Sequence, residues 1–363
     1  MSSLEHLVDL TETLIRIRST HAQPEQILLA RNLAANYFDS TSLLIEPHIY
    51  GGIPSLTITK HTKTPKVFLC GHLDVVDGED EQFIPRRDGA RLYGRGALDM
   101  KSGNAVLMAL MKDLADTSHD VGLMLTGDEE IGGMHGTKVL LEQGYRPQVA
   151  IIPDGGLAIH RLVEKEKGVI WIRLEAQGAA AHGSRPWEGI NAIDRLMDAL
   201  QKIKTLFADP HTNHPTDHWV STINIGHIEG GHSVNKVPSS ASATCDIRYT
   251  EHANPNLLLE DMKKVLPEHV TLDVRFFEPM THVDIQHPLI KPFFDVISAH
   301  SRTPEVSHGH GSSDGRFFSA HHIPVLISQP DGANHHAKDE WVNIPSIKEY
   351  YDVLRAYLDK VAL

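Results

Sequence analysis

Apolar residues recur every three to four positions over 4–18 and 24–39, the spacing of one helical face, and predict two opening helices. The pattern then shifts to short unbroken apolar runs. VFLCGHLDVV (67–76), VGLMLTGDEE (121–130) and VAIIPDGG (149–156) read as buried strands. Between them SGNAVLMALMKDLAD (102–116), with Ser102 as its cap, and HGTKVLLEQ (135–143) read as helices. Strands alternating with helices predict a mostly parallel sheet with both faces covered.

The pattern changes near residue 168. GVIWIRLEAQG alternates as a half-exposed strand does, and 190–207 carries the periodicity of a long amphipathic helix. Strands at about 219–229 and 240–249, a helix at 256–265 and a strand at 269–277 complete a β-α-β-β-α-β order, which is ferredoxin-like. A helix (288–300), a strand (325–328) and a terminal helix (346–361) then resume the first pattern. The expected architecture is an α/β domain formed by 1–167 and 281–363, with an α+β domain inserted at 168–280.

Five short stretches carry the candidate chemistry: GHLDVVD (71–77), GRGALDMKSG (94–103), TGDEEIGG (126–133), PDGG (153–156) and HAKDE (336–340). Functional sites in parallel sheets lie beyond the carboxyl ends of strands, where these stretches are expected. Histidines with carboxylates suit zinc that keeps a water bound. A pair of such ions about 3.5 Å apart needs a bridging carboxylate. Asp99, after a glycine-rich turn, is placed to bridge, with His72 and Asp154 completing one ion and Glu130 and His336 the other. Asp74, two residues from His72 on the same strand face, is placed to fix that imidazole's tautomer. Neighbours on an extended segment point opposite ways, so Glu130 can bind metal while Glu129 serves as general base.

Composition narrows the partners. A hydrophobic fraction of 41% and a charged fraction of 22% are those of a globular protein, and 363 residues suit two domains. The formal net charge of −13 argues against nucleic acid. No run of 18 apolar residues predicts a membrane span, and the amphipathic, acidic opening segment lacks the layout of a signal peptide. Cys70 and Cys245 are expected as reduced, buried thiols, consistent with a cytoplasmic setting. Of the 25 histidines most are expected to be surface residues, among them His211, His214 and His218.

GHLDVV, YGRGALDMKSG, TGDEEIGG, AAHGSRPWEGINAI (180–193), NKVP (235–238), CDIR (245–248), SSDGRF (313–318) and HAKDEWV (336–342) follow one another in the order of a known pattern. Nearly the whole chain resembles the co-catalytic zinc family that includes succinyl-diaminopimelate desuccinylase, acetylornithine deacetylase, aminoacylase and carboxypeptidase G. The resemblance implies a catalytic α/β domain with an inserted lid, and two Zn²⁺ per subunit, with Co²⁺ or Mn²⁺ as substitutes. Its ligands would be His72, Asp99, Glu130, Asp154 and His336, with Glu129 as base, Asp74 as orienter and a cis peptide after Asp99. The spacing H-x-x-D-E favours His336 over the adjacent His335. His182 resembles a lid histidine that reaches the partner's site in family dimers and polarises the scissile carbonyl. Asn235, Arg248 and Arg316 match substrate-binding positions, Arg316 as a bidentate clamp for a carboxylate. The implied protein is a homodimer paired through its lid, hydrolysing an amide beside a free carboxylate in a peptide or acyl-amino acid. Aspartate at 154 leans toward the family's peptidases, whereas SSDGRF leans toward the desuccinylase.

Two other classes remain. GSSDG (311–315) fits the serine-hydrolase elbow G-x-S-x-G around Ser313, with Asp331 and His335 following in order, although TPEVSHGHG predicts only a poor preceding strand. A non-catalytic binding protein on the same fold would lack the base or the bridge, and both Glu129 and Asp99 are present.

Overall fold

The computed structural model describes residues 1–207 and 218–363. Of the histidines expected at the surface, His211 and His214 lie outside the described residues, and His218 is exposed. The chain divides into two compact units. One comprises Met1–Lys165, Thr281–Gly309 and Ser313–Leu363, the other Glu166–Met280 and His310–Ser312.

The first unit is built on a six-stranded sheet in the spatial order Leu44–Tyr50, Ile53–Thr59, Val121–Thr126, Val67–His72, Val149–Ile152 and Val325–Ile327. The last four run parallel to one another. Strands Val67–His72, Val121–Thr126 and Val149–Ile152 are buried at every residue, because helices shield both faces. Helices Leu4–Ile15, Ser102–Asp113 and Ile344–Val361 pack on one another through side chains such as Leu7, Leu107 and Tyr357, each wholly removed from water. Packing, rather than intrinsic propensity, fixes such helices.

Two sequence expectations are corrected. The sheet gains an antiparallel hairpin, Leu44–Tyr50 with Ile53–Thr59, turning at Gly51 and Gly52, both with positive φ. Pro47 and Pro54 disguise these strands, since proline weakens a strand signal, yet the Gly-Gly turn is the hairpin cue. Ser102 does not cap its helix. The chain enters it through Lys101, already helical, and the Ser102 hydroxyl is buried without a partner.

In the second unit an all-antiparallel sheet runs Thr222–Gly230, Ser240–Tyr249, Gly168–Gln177, Val270–Glu278. Helices Ala192–Lys204 and Pro255–Val265 follow its first and third strands in chain order, the β-α-β-β-α-β path read from the sequence. Ile170, Ile172, Leu196, Ala199, Ile247 and Met262 form its own core. Cys70 and Cys245 are buried free thiols, one in each unit. Among the described residues no helix is long and apolar enough to cross a membrane.

Candidate metal centre

Three neighbouring parallel strands of the first unit end at the same edge; His72 is the last residue of one, and the loops beyond the other two carry Glu129 with Glu130, and Asp154. Two further segments come from a small antiparallel sheet. There Trp341–Asn343 pairs with Arg91–Tyr93, bringing the turn bearing Asp99 against the loop bearing His336.

Asp99 lies between the two imidazoles. Its Oδ1 is 3.0 Å from His72 Nε2 and its Oδ2 is 3.1 Å from His336 Nε2, so each carboxylate oxygen faces a different ring. Glu130 Oε2 is 3.2 Å from His336 Nε2. One ligand atom from each of His72, Asp99 and Glu130 lies within 4.8 Å of the others, and so does one from each of His72, Glu129 and Asp154. His335 makes a ring contact with His336 and is exposed. The peptide bond between Asp99 and Met100 is cis.

This donor set fits divalent cations. Carboxylates and neutral imidazoles are zinc's oxygen and nitrogen ligands, and Glu130 Oε1 is buried with no hydrogen-bond partner, an acceptor left for a cation. The same carboxylates raise the proton affinity of both rings. Hydrogen bonds to Asp99 and Glu130 push His336 up to about 10. Burial opposes the charge on His72, but hydrogen bonds to Asp74 and Asp99 outweigh it and raise its pKa well above the usual imidazole range. Burial likewise opposes the Asp99 charge, yet hydrogen bonds from His336 and His72 hold its pKa low. Glu129 is the opposite case: burial, then repulsion from Asp154, raises it well above an ordinary glutamate. Carboxylates with pKa values driven apart mark a site where one group handles protons.

Asp74 does more than face His72. Its carbonyl is 2.9 Å from His72 Nδ1 and its carboxylate 3.6 Å away. The carboxylate accepts the backbone N–H groups of Glu129 at 3.2 Å and Glu130 at 3.0 Å, which fixes the segment carrying both glutamates. It is also 2.9 Å from His21 Nε2. His21 follows the first helix in a loop without motif character, and sequence reasoning missed it. Asn104, whose side-chain amide donates to the His72 carbonyl at 2.5 Å, was missed for the same reason.

The remaining residues are distributed differently. Arg316 is 2% exposed, with Nη1 donating to the Ser313 carbonyl, Nη2 to the Gly132 carbonyl, and Glu129 Oε1 3.9 Å from Nη1. The guanidinium donates to two backbone carbonyls beside Glu129, and its Nε is buried without a partner. His182, Asn235 and Arg248 belong to the second unit. His182 is exposed, and its Nδ1 accepts the Ser184 N–H at 3.2 Å, which places the ring proton on Nε2. The Gly183 N–H donates to the Asn235 carbonyl at 2.7 Å, so His182 and Asn235 sit on paired segments. Arg248 donates through Nε to Asp246 and lines a cavity of about 440 Å³ with Lys167, His218, Val220, Thr222 and His310.

The three serine-hydrolase candidates have other partners among the described residues. A strand does precede the GSSDG segment, at Glu305–Gly309, against the sequence expectation. Ser313 Oγ accepts the Gly315 N–H, the Asp331 carboxylate is gripped by both terminal nitrogens of Arg302, and the His335 ring lies against His336.

Comparison with known proteins places the chain in a family. The family model described as Peptidase family M20/M25/M40 matches residues 68–360. A succinyl-diaminopimelate desuccinylase of Acidiphilium cryptum is 27% identical, covering 98% of both chains. The enzyme of that name from Parvibaculum lavamentivorans is 30% identical over 81% of this chain and 80% of its own. Among solved structures, a tripeptidase from Staphylococcus aureus superposes with a TM-score of 0.82 at 19% identity, covering 100% of this chain and 99% of its own. An M20 family metallo-carboxypeptidase from Sulfolobus solfataricus gives 0.81 at 17% identity, covering 100% and 99%. The chain belongs to peptidase family M20/M25/M40 and is a metal-dependent hydrolase.

Proposed function

We propose that this protein hydrolyses an amide bond beside a free carboxylate, using two zinc ions held by His72, Asp99, Glu130, Asp154 and His336. The observation that carries the reading is the position of Asp99, with one imidazole against each carboxylate oxygen and Glu130 sharing the second ring. Bound divalent cations supply an activated water and a Lewis acid for the carbonyl.

The chain's own groups do the rest. Glu129, whose burial and proximity to Asp154 raise its proton affinity, takes a proton from the attacking water and passes it to the departing nitrogen. Asp74 holds the Glu129 amide and so aims that carboxylate. His182 bears its proton on Nε2, the donor suited to a developing oxyanion. In this reading residues 168–280 form a lid through which two copies pair, bringing His182 to the partner's site, and Asn235 and Arg248 hold the polar end of the substrate. Arg316 serves as countercharge to Glu129. The protein works in the cytoplasm.

The runner-up substrate is an N-acyl amino acid, N-succinyl-diaminopimelate or N-acetylornithine, favoured by full-length relatives that carry the desuccinylase name. Metal-loaded protein offered N-succinyl, N-acetyl and dipeptide substrates decides between these classes. Turnover of any, abolished by a chelator and restored by Zn²⁺ or Co²⁺, is the expected result. Turnover that ignores the chelator overturns the metal reading.

A further inference from the structure

Resting on that metal reading, we infer that Glu340 and Arg95 are positioning residues that couple the two ligand segments, the Asp99 turn and the His336 loop, into one rigid frame. Glu340 is 1% exposed and Arg95 4%, and the two form an ion pair at 3.0 Å. Charges are rarely retained at such burial unless paired, and here only Arg95 Nε lacks a partner within the pair. Here Glu340 Oε1 accepts the N–H groups of Leu98 at 2.9 Å and Asp99 at 3.1 Å. Its Oε2 accepts the Gly96 N–H at 3.0 Å along with Arg95 Nη1. Arg95 Nη2 donates to the carbonyl of His336 at 3.2 Å. One ion pair thus grips the amide of one metal ligand and the carbonyl of another.

The turn is shaped for this grip. Gly96 has a φ of +77°, and a Cβ there would meet Val75 Cγ1 at 2.8 Å, so only glycine lets its amide join those of Leu98 and Asp99 around one carboxylate. A general structural staple would brace the fold anywhere. This one fixes the backbone of Asp99 itself, and with it the separations of Asp99 from His72 and His336.

Substituting Glu340→Gln places an amide donor against the backbone N–H groups, and Arg95→Lys keeps the charge but loses the fork that spans Glu340 and the His336 carbonyl. Metal-free wild type and both variants are titrated with Co²⁺ and followed by visible absorption, with circular dichroism reporting the metal-free fold. Outer partners of metal ligands typically change affinity by roughly 10- to 100-fold, and Glu340→Gln is expected in that range, with an altered Co²⁺ spectrum. Arg95→Lys is expected to lose less, in the same direction, with an unchanged metal-free fold. Should Glu340→Gln fail to fold, Arg95→Lys decides alone. Folded variants that bind Co²⁺ with the affinity and spectrum of wild type overturn the inference. Failure of wild type to bind Co²⁺ overturns the metal reading instead.

Discussion

Replacing Glu129 with glutamine separates the proposed base from the proposed ligands. The substitution preserves size and removes the carboxylate that accepts protons. Proton transfer by a placed side chain is worth ~10²- to 10⁴-fold, and Glu129 is used twice, so a loss at or above the upper end, ~5 kcal/mol or more in the barrier, is expected. The stability change runs the other way. Burial and Asp154 disfavour the charged Glu129 side chain, so a neutral amide in metal-free protein should leave the unfolding temperature unchanged or higher. Because Glu129 also lies within ligand distance of His72 and Asp154, metal content must be measured beside kcat and KM. The reasoning predicts two ions per chain, a KM within a few-fold of wild type and kcat reduced by about four orders of magnitude. Near-normal turnover refutes Glu129 as base, and loss of one ion makes it a ligand.

Asp74→Asn should lower kcat and, above about pH 4, stability together. Burial opposes the Asp74 charge, but hydrogen bonds from His21 and His72 hold its pKa at about 2, so the carboxylate contributes stability above pH 4 that vanishes as pH falls through 2. The contribution is roughly 2 kcal/mol, and urea unfolding of both proteins across that window should show the difference close at low pH. Asp128 has the opposite sign. Burial, then repulsion from Asp314, raises it to about 7, so its cost to the metal-free fold grows as pH rises from about 4 to 7 and persists above. Asp128→Asn should gain roughly 2–4 kcal/mol at pH 8 and little at pH 4, and equal gains at both would contradict this. Free Zn²⁺ at a hundred times its Kd should stabilise wild type by about 2.7 kcal/mol for each ion bound, read in calorimetry, and an unshifted transition would speak against native-state binding.

What the sequence disclosed follows physical lines. Buried parallel strands write themselves as apolar runs, so Val67–His72, Val121–Thr126 and Val149–Ile152 were legible, and the acidic stretches after them located the site. Ser102 misled because a hydroxyl before an apolar run resembles a cap, whereas the preceding turn had already entered helical geometry. The motif around Arg316 does not reveal that its guanidinium also donates to the Ser313 and Gly132 carbonyls. His21 and Arg95 were invisible for a related reason. They act on residues 53 and 241 positions away, and one chain carries no spacing rule for such contacts. Glu340 stood inside HAKDE, but only the folded turn shows that it gathers three amides.

Diffraction from crystals grown with Zn²⁺, recorded on both sides of the zinc absorption edge, tests the central claim directly. Two anomalous peaks should flank Asp99, one within ~2.0–2.2 Å of His72 and Asp154 and the other equally near Glu130 and His336. Ordered zinc bound elsewhere, with these five side chains left uncoordinated, would contradict the account.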